Sequence, residues 1–79
     1  MITADVVSSF IQRAIPDATV TVMDRTGTMD HLSVRVVSDL FKGQSLLDRH
    51  RLVYQALDAP MKDGRIHALE IKAETTDGG

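Results

Sequence analysis

A helix-length segment separates two β-type runs in this chain of 79 residues, and that order constrains the fold more than any other feature. The first run begins near Leu32 (LSVRVV) and the second near Ile66 (IHALEIKA). A strand, a helix and a second strand in that order form a right-handed crossover, which makes the two strands parallel. Parallel neighbours begin on the same edge of their sheet. His31 and His67, at the heads of the two runs, are therefore predicted to lie close together. The length leaves room for one core and no second lobe.

The remaining elements follow from changes of period. Thr3 is a plausible N-cap, with Ile2 and Val7 placed as a hydrophobic staple. Val7, Phe10, Ile11 and Ala14 recur at helical spacing until Pro16 intervenes, which predicts a helix from Ala4 to Ile15. From Ala18 the period is two, with Ala18, Val20 and Val22 inward and Thr19, Thr21 and Met23 outward. The cluster Asp24 to Asp30 (DRTGTMD) predicts a hairpin with a longer loop, after which Leu32, Val34 and Val36 continue the buried face. Ser38 to Gly43 reads as a tight connection anchored by Leu40 and Phe41. Ser45 and Asp48 form a variant capping box that opens the main helix. Its apolar stripe is predicted as Leu46, His50, Val53 and Leu57, widened by Leu47 and Tyr54, with an end before Pro60. A KDG turn leads to a third strand, Ile66 to Ala73, and the tail from Thr75 is expected to fray.

The fold class is thus α+β: one small α-β-β-α-β domain over 1–76 and a flexible tail over 77–79, with helices on one face of a three-stranded mixed sheet. The other face, carrying Thr19, Thr21, Ser33, Arg35, Glu70 and Lys72, is left to solvent or a partner.

The chain has no cysteine, which excludes disulfides, a thiol nucleophile and a self-sufficient thiolate cluster site. Two imidazoles at one sheet edge suit a soft metal or an iron–sulfur cluster completed by a partner, because two ligands leave a coordination sphere half empty. Alternation places His67 with Leu69 and Ile71 but His31 with Ser33 and Arg35. Convergence then requires one histidine to stand just before its strand, or a bulge. His50, between Arg49 and Arg51 on the main helix, reads as a partly buried, hydrogen-bonded residue. No enzymatic constellation is visible: Ser38 and Ser45 lack an elbow context, and the acids sit mostly at caps and turns. Gly43 stands alone in FKGQ, so the GxxG clamp of nucleic-acid-binding modules is missing. A formal net charge of −2 opposes a phosphate-driven binder. Lys42, Arg49, Arg51 and Arg65 are the candidate partner or nucleic-acid contacts, against the simpler reading of a solvated mixed-charge face. No apolar run is long enough to span a membrane, and the N-terminal MITADVVSS lacks a basic n-region, so a cytoplasmic protein is expected.

Val37-Ser38, Phe41, Gly43, Ser45, Arg49-His50-Arg51 and Val53-Tyr54, followed by Ile66-His67-Ala68-Leu69 and Lys72-Ala73, resemble the motif series of the BolA family. The run VSxxFxGxSxxxRHRxVY is specific, and the match extends from the first helix to Ala73. The resemblance implies a KH-like α-β-β-α-β fold. It also implies a non-enzymatic protein that binds a monothiol glutaredoxin and shares a bridging two-iron two-sulfur cluster, with glutathione supplied alongside the partner. Iron–sulfur trafficking and iron homeostasis would be its setting. The alternative that the resemblance offers is a stress-linked transcriptional regulator that binds DNA. The family's cluster-ligand histidine falls on His67, and His31 occupies the loop position of the second ligand, as in the histidine type of the family. His50 matches a further characteristic histidine that does not hold the cluster. The chain departs from the family in ending Thr75-Thr76 where Thr-Pro is usual, and in lacking the cysteine-bearing loop segment. Alone, it is expected to be a monomer or a weak homodimer.

Overall fold

The structure, a computed structural model, describes residues 2–78; Met1 and Gly79, the last residue of the predicted tail, lie outside the described residues. Helix α1 spans Ala4–Ala14, and the Thr3 hydroxyl accepts the Val6 N–H at 3.2 Å. Its apolar positions bury Val7 and Ile11, while Ile2 and Ile15 close the core at its two ends. Strands β1 (Thr19–Asp24) and β2 (His31–Val37) pair antiparallel, Val20 opposite Val36 and Val22 opposite Val34. Strand β3 (Ala68–Glu74) pairs parallel to β2, with Ala68 opposite His31 and Ile71 opposite Val34. The sheet order is β1-β2-β3, as the crossover rule requires.

The inward residues Leu32, Val34 and Val36 are at most 1% exposed. They pack beneath α1 and α2 (Leu46–Ala56), which adds Val53, with Leu57 buried at its C-cap. Burial of these β-branched and aliphatic side chains is the main favourable term in a domain without covalent staples. The opposite sheet face is polar and accessible at Thr19, Thr21, Arg35, Glu70 and Lys72.

Several local expectations are corrected. The connection after β2 forms a 3-10 turn over Asp39–Phe41; Phe41 is fully buried, but Leu40 is 43% exposed and lies outside the core. Leu46, Leu47 and Tyr54 are exposed, so the buried stripe of α2 is narrower than its apolar pattern. The main helix ends before Pro60, as expected, but Pro60 itself sits, buried, within an unexpected second short helix, α3 (Asp58–Lys62). It occupies the first turn of α3, where a missing N–H costs no helical bond. Thr75 is buried rather than frayed, and the Thr76 hydroxyl donates to Asp39 Oδ1 at 2.5 Å.

Ser38 joins two of these parts. Its hydroxyl donates to Asp17 Oδ1 at 2.5 Å and accepts the Leu40 N–H at 3.0 Å, and its own N–H donates to the Glu74 carbonyl at 2.9 Å. The exposed edge of β3 is also covered in part. Arg49 donates to the Ala73 carbonyl at 3.3 Å, and the Tyr54 hydroxyl to the Leu69 carbonyl at 3.3 Å. Both side chains come from α2, and they occupy carbonyls that could otherwise template a further strand.

Candidate functional site

The site is built at the end of the hairpin loop. Asp24 Oδ1 accepts the N–H groups of Thr26 and Gly27, and Oδ2 accepts that of Met29 at 3.1 Å. Gly27 (φ 83°) and Met29 (φ 57°) both take the left-handed conformation that this tight loop requires. Beyond them, the Asp30 carbonyl accepts two N–H groups from the distant β3 entry, His67 at 2.7 Å and Ala68 at 3.1 Å. Those two bonds fasten the start of β3 to the end of the loop.

His67 therefore stands one residue before β3, not within it, and strand alternation does not govern its side chain. This resolves the parity conflict between the two histidines. The His31 and His67 rings lie 6.2 Å apart between centroids at an interplanar angle of 65°. His67 Nδ1 lies 3.2 Å from Asp30 Oδ2. One donor atom from each of Asp30, His31 and His67 falls within 4.8 Å of the others. The group faces solvent, with the His67 side chain 58% exposed. Gly64 stands beside the far ring nitrogen, where a Cβ would lie at an ordinary 4.0 Å from His67 Nε2.

The Thr28 hydroxyl bonds to Asp30 and holds its carboxyl below the ordinary carboxylate range. Partial burial opposes that effect, and the Thr26 hydroxyl and the two imidazoles add to it. Asp30 is thus an anion that can only accept hydrogen bonds at neutral pH. It was invisible as a site residue in sequence, where it reads as one more acid of the DRTGTMD turn.

The other candidates lie elsewhere and are locally engaged. Lys42 lies 3.6 Å from Asp39, Arg51 3.7 Å from Asp48, and Arg65 2.9 Å from Asp63. Arg49 donates to the Gln44 and Ala73 carbonyls and stacks 6.0 Å above the Phe41 ring. Arg65 lies beside the Phe10 ring at 5.7 Å, on α1. His50 is half-buried on α2 and stands outside the Asp30–His31–His67 group.

The donor set is two imidazoles and a carboxylate, with no thiolate anywhere in the chain. Such a set can fill part of the sphere of a borderline metal such as iron and leave positions for a partner's ligands. A depression of about 400 Å³ lies beside His31, lined by Arg25, Leu69 and Glu70 among others.

A family model described as "BolA-like protein" matches residues 11–78. Protein BOLA2 of Arabidopsis thaliana is 38% identical over 77 residues, covering 96% of this chain and 81% of that protein. SufE-like protein 1, chloroplastic/mitochondrial, of Arabidopsis thaliana is 51% identical over 45 residues. That match covers 57% of this chain and 12% of the relative, so the chain spans only a small part of that longer protein. Among solved structures, BolA1 from Arabidopsis thaliana superposes with a TM-score of 0.85 at 27% identity, covering 100% of this chain and 99% of that one.

Proposed function

This chain belongs to the BolA-like protein family, and on that premise we propose a non-enzymatic adaptor that pairs with a monothiol glutaredoxin. In this reading His67 and His31 hold one side of a bridging two-iron two-sulfur cluster, the cargo that the pair carries in iron–sulfur trafficking or iron homeostasis. The observation that carries the reading is the exposed pair of imidazoles, 6.2 Å apart at one sheet edge. The donor chemistry agrees. A chain without cysteine cannot hold such a cluster alone, whereas a partner with glutathione can supply the thiolates.

Each residue has a distinct task. His67, pinned through its backbone to Asp30, offers a nitrogen in a fixed place. His31 heads β2 and offers the second. Imidazole nitrogen in place of thiolate raises a cluster's potential, and it binds only when neutral, so the pairing should loosen as pH falls through the histidine range. A cytosolic setting, where glutathione is available, is part of the proposal.

The DNA-binding alternative has no comparable support, because Lys42, Arg51 and Arg65 each face an acid within 4 Å. The test is reconstitution: the chain, a monothiol glutaredoxin, glutathione, iron and sulfide are mixed and run on a sizing column. A one-to-one complex with a visible spectrum distinct from that of the glutaredoxin alone is expected. An unaltered glutaredoxin spectrum with the chain eluting separately would refute the reading.

A further inference from the structure

Asp30 has both carboxylate oxygens engaged at the edge of this site, and the cluster reading uses only its backbone carbonyl. Oδ1 accepts from the Thr28 hydroxyl and, at 3.2 Å, from the Thr26 hydroxyl. Oδ2 faces His67 Nδ1 at 3.2 Å. The same residue's carbonyl holds the backbone of His67 and Ala68. The backbone of one residue therefore holds a histidine whose ring its side chain also faces.

We propose that Asp30 is a positioning residue that fixes the tautomer of His67, keeping the proton on Nδ1, beside its carboxylate, and leaving Nε2 as the only nitrogen free to bind a metal. The assignment of His67 as a ligand rests on the function proposed above; the tautomer does not. A carboxylate oxygen 3.2 Å from Nδ1 disfavours a lone pair on that nitrogen and favours a proton there. A neutral imidazole with a proton on Nδ1 presents its lone pair at Nε2. The hydroxyls of Thr26 and Thr28 hold the carboxylate in turn, keeping it aimed. A carboxylate–histidine pair behind a metal is a recurrent arrangement, and it raises the basicity of the ligating nitrogen.

The first arm of the test uses the chain alone, labelled with nitrogen-15, at about pH 8.5, above the ordinary histidine range. Long-range nitrogen–proton spectra are expected to show His67 with a protonated Nδ1 and a bare Nε2. Asp30→Ala should convert His67 to a mixture or to the opposite tautomer, while the amide fingerprint stays folded because the Asp30 carbonyl is retained. Asp30→Asn should restore the wild-type tautomer, since the amide oxygen can still accept. A wild-type His67 protonated on Nε2, or an Asp30→Ala tautomer identical to wild type, would overturn the proposal. The second arm is cluster retention in the mixed complex, expected to fall about 10–100-fold in Asp30→Ala and to recover in Asp30→Asn. An asparagine variant as poor as alanine would overturn the positioning role and point to direct ligation by the carboxylate. Failure of the complex to form in the wild type would sink the proposed function, yet it would leave the first arm's answer standing.

Discussion

Replacing Ser38 by alanine should be among the most damaging single-atom changes in this domain. The residue is fully buried, and its hydroxyl has two duties that alanine cannot perform. It caps the 3-10 turn by accepting the Leu40 N–H at 3.0 Å, and it donates to Asp17 Oδ1 at 2.5 Å. Loss of a serine cap costs about 0.5–2 kcal/mol. A hydrogen bond to a charged acceptor contributes about 1.5–3 kcal/mol, and the lower end applies here because Asp17 is exposed and water can replace the hydroxyl. Together the loss should be about 2–3 kcal/mol, or about 10–20 °C in Tm for a domain of this size. Thermal and urea unfolding followed by circular dichroism would measure it. A double-mutant cycle with Asp17→Ala isolates the pair, with a coupling of about 1 kcal/mol or more expected for groups in contact. A fall in Tm under about 3 °C, equivalent to less than 1 kcal/mol, or strict additivity in the cycle, would show that the Ser38–Asp17 contact does not hold this junction.

Three further outcomes follow from named contacts. Arg49→Ala should lose about 1–2 kcal/mol of stability, because its bonds to the Gln44 and Ala73 carbonyls and its stack on Phe41 disappear together. Arg49→Lys should rescue little, since an ammonium lacks the planar fork; urea midpoints check both. The Arg35 guanidinium, bonded to Glu74 at 2.5 Å, holds that carboxyl below its ordinary value. Its stabilising contribution is present above the unfolded glutamate value and is lost as pH falls through the lowered folded value. Carboxyl NMR titration should therefore find the Glu74 midpoint raised in Arg35→Gln, and an unmoved midpoint would contradict the pairing. Fluorescence anisotropy should detect at best weak DNA binding with a shallow salt slope, and sub-micromolar, sequence-specific binding near physiological salt would reverse the ranking of the two functions.

Much of this architecture was legible in the order of periods. Val20 and Val22, then Leu32, Val34 and Val36, alternate strictly because one sheet face is buried. The crossover rule then fixed the parallel pairing of β3 with β2 and, with it, the meeting of His31 and His67. What escaped depends on contacts between distant parts. Leu46 and Leu47 carry a helical apolar pattern, yet both are exposed at the start of α2. Ile66 and His67 read as strand residues; the Asp30 carbonyl instead captures the chain before pairing starts. Arg49 reads as a surface cation until α2 is laid against β3. Asp30 carries no sequence signal of its role, since the histidine it grips lies across the sheet edge on another strand's entry.

The central claim is that two histidine nitrogens of this chain ligate one iron of a shared cluster. Pulsed electron paramagnetic resonance on the reduced complex with a monothiol glutaredoxin measures it directly, because nitrogen bound to the iron gives hyperfine couplings that thiolates do not. Two strong nitrogen couplings are expected in the wild type. His67→Ala should abolish the mixed-complex signal, His31→Ala should leave a single coupling in a weakened complex, and His50→Ala should keep both while lowering stability. A reduced complex without strong nitrogen couplings, or one in which His67→Ala changes nothing, would contradict the account.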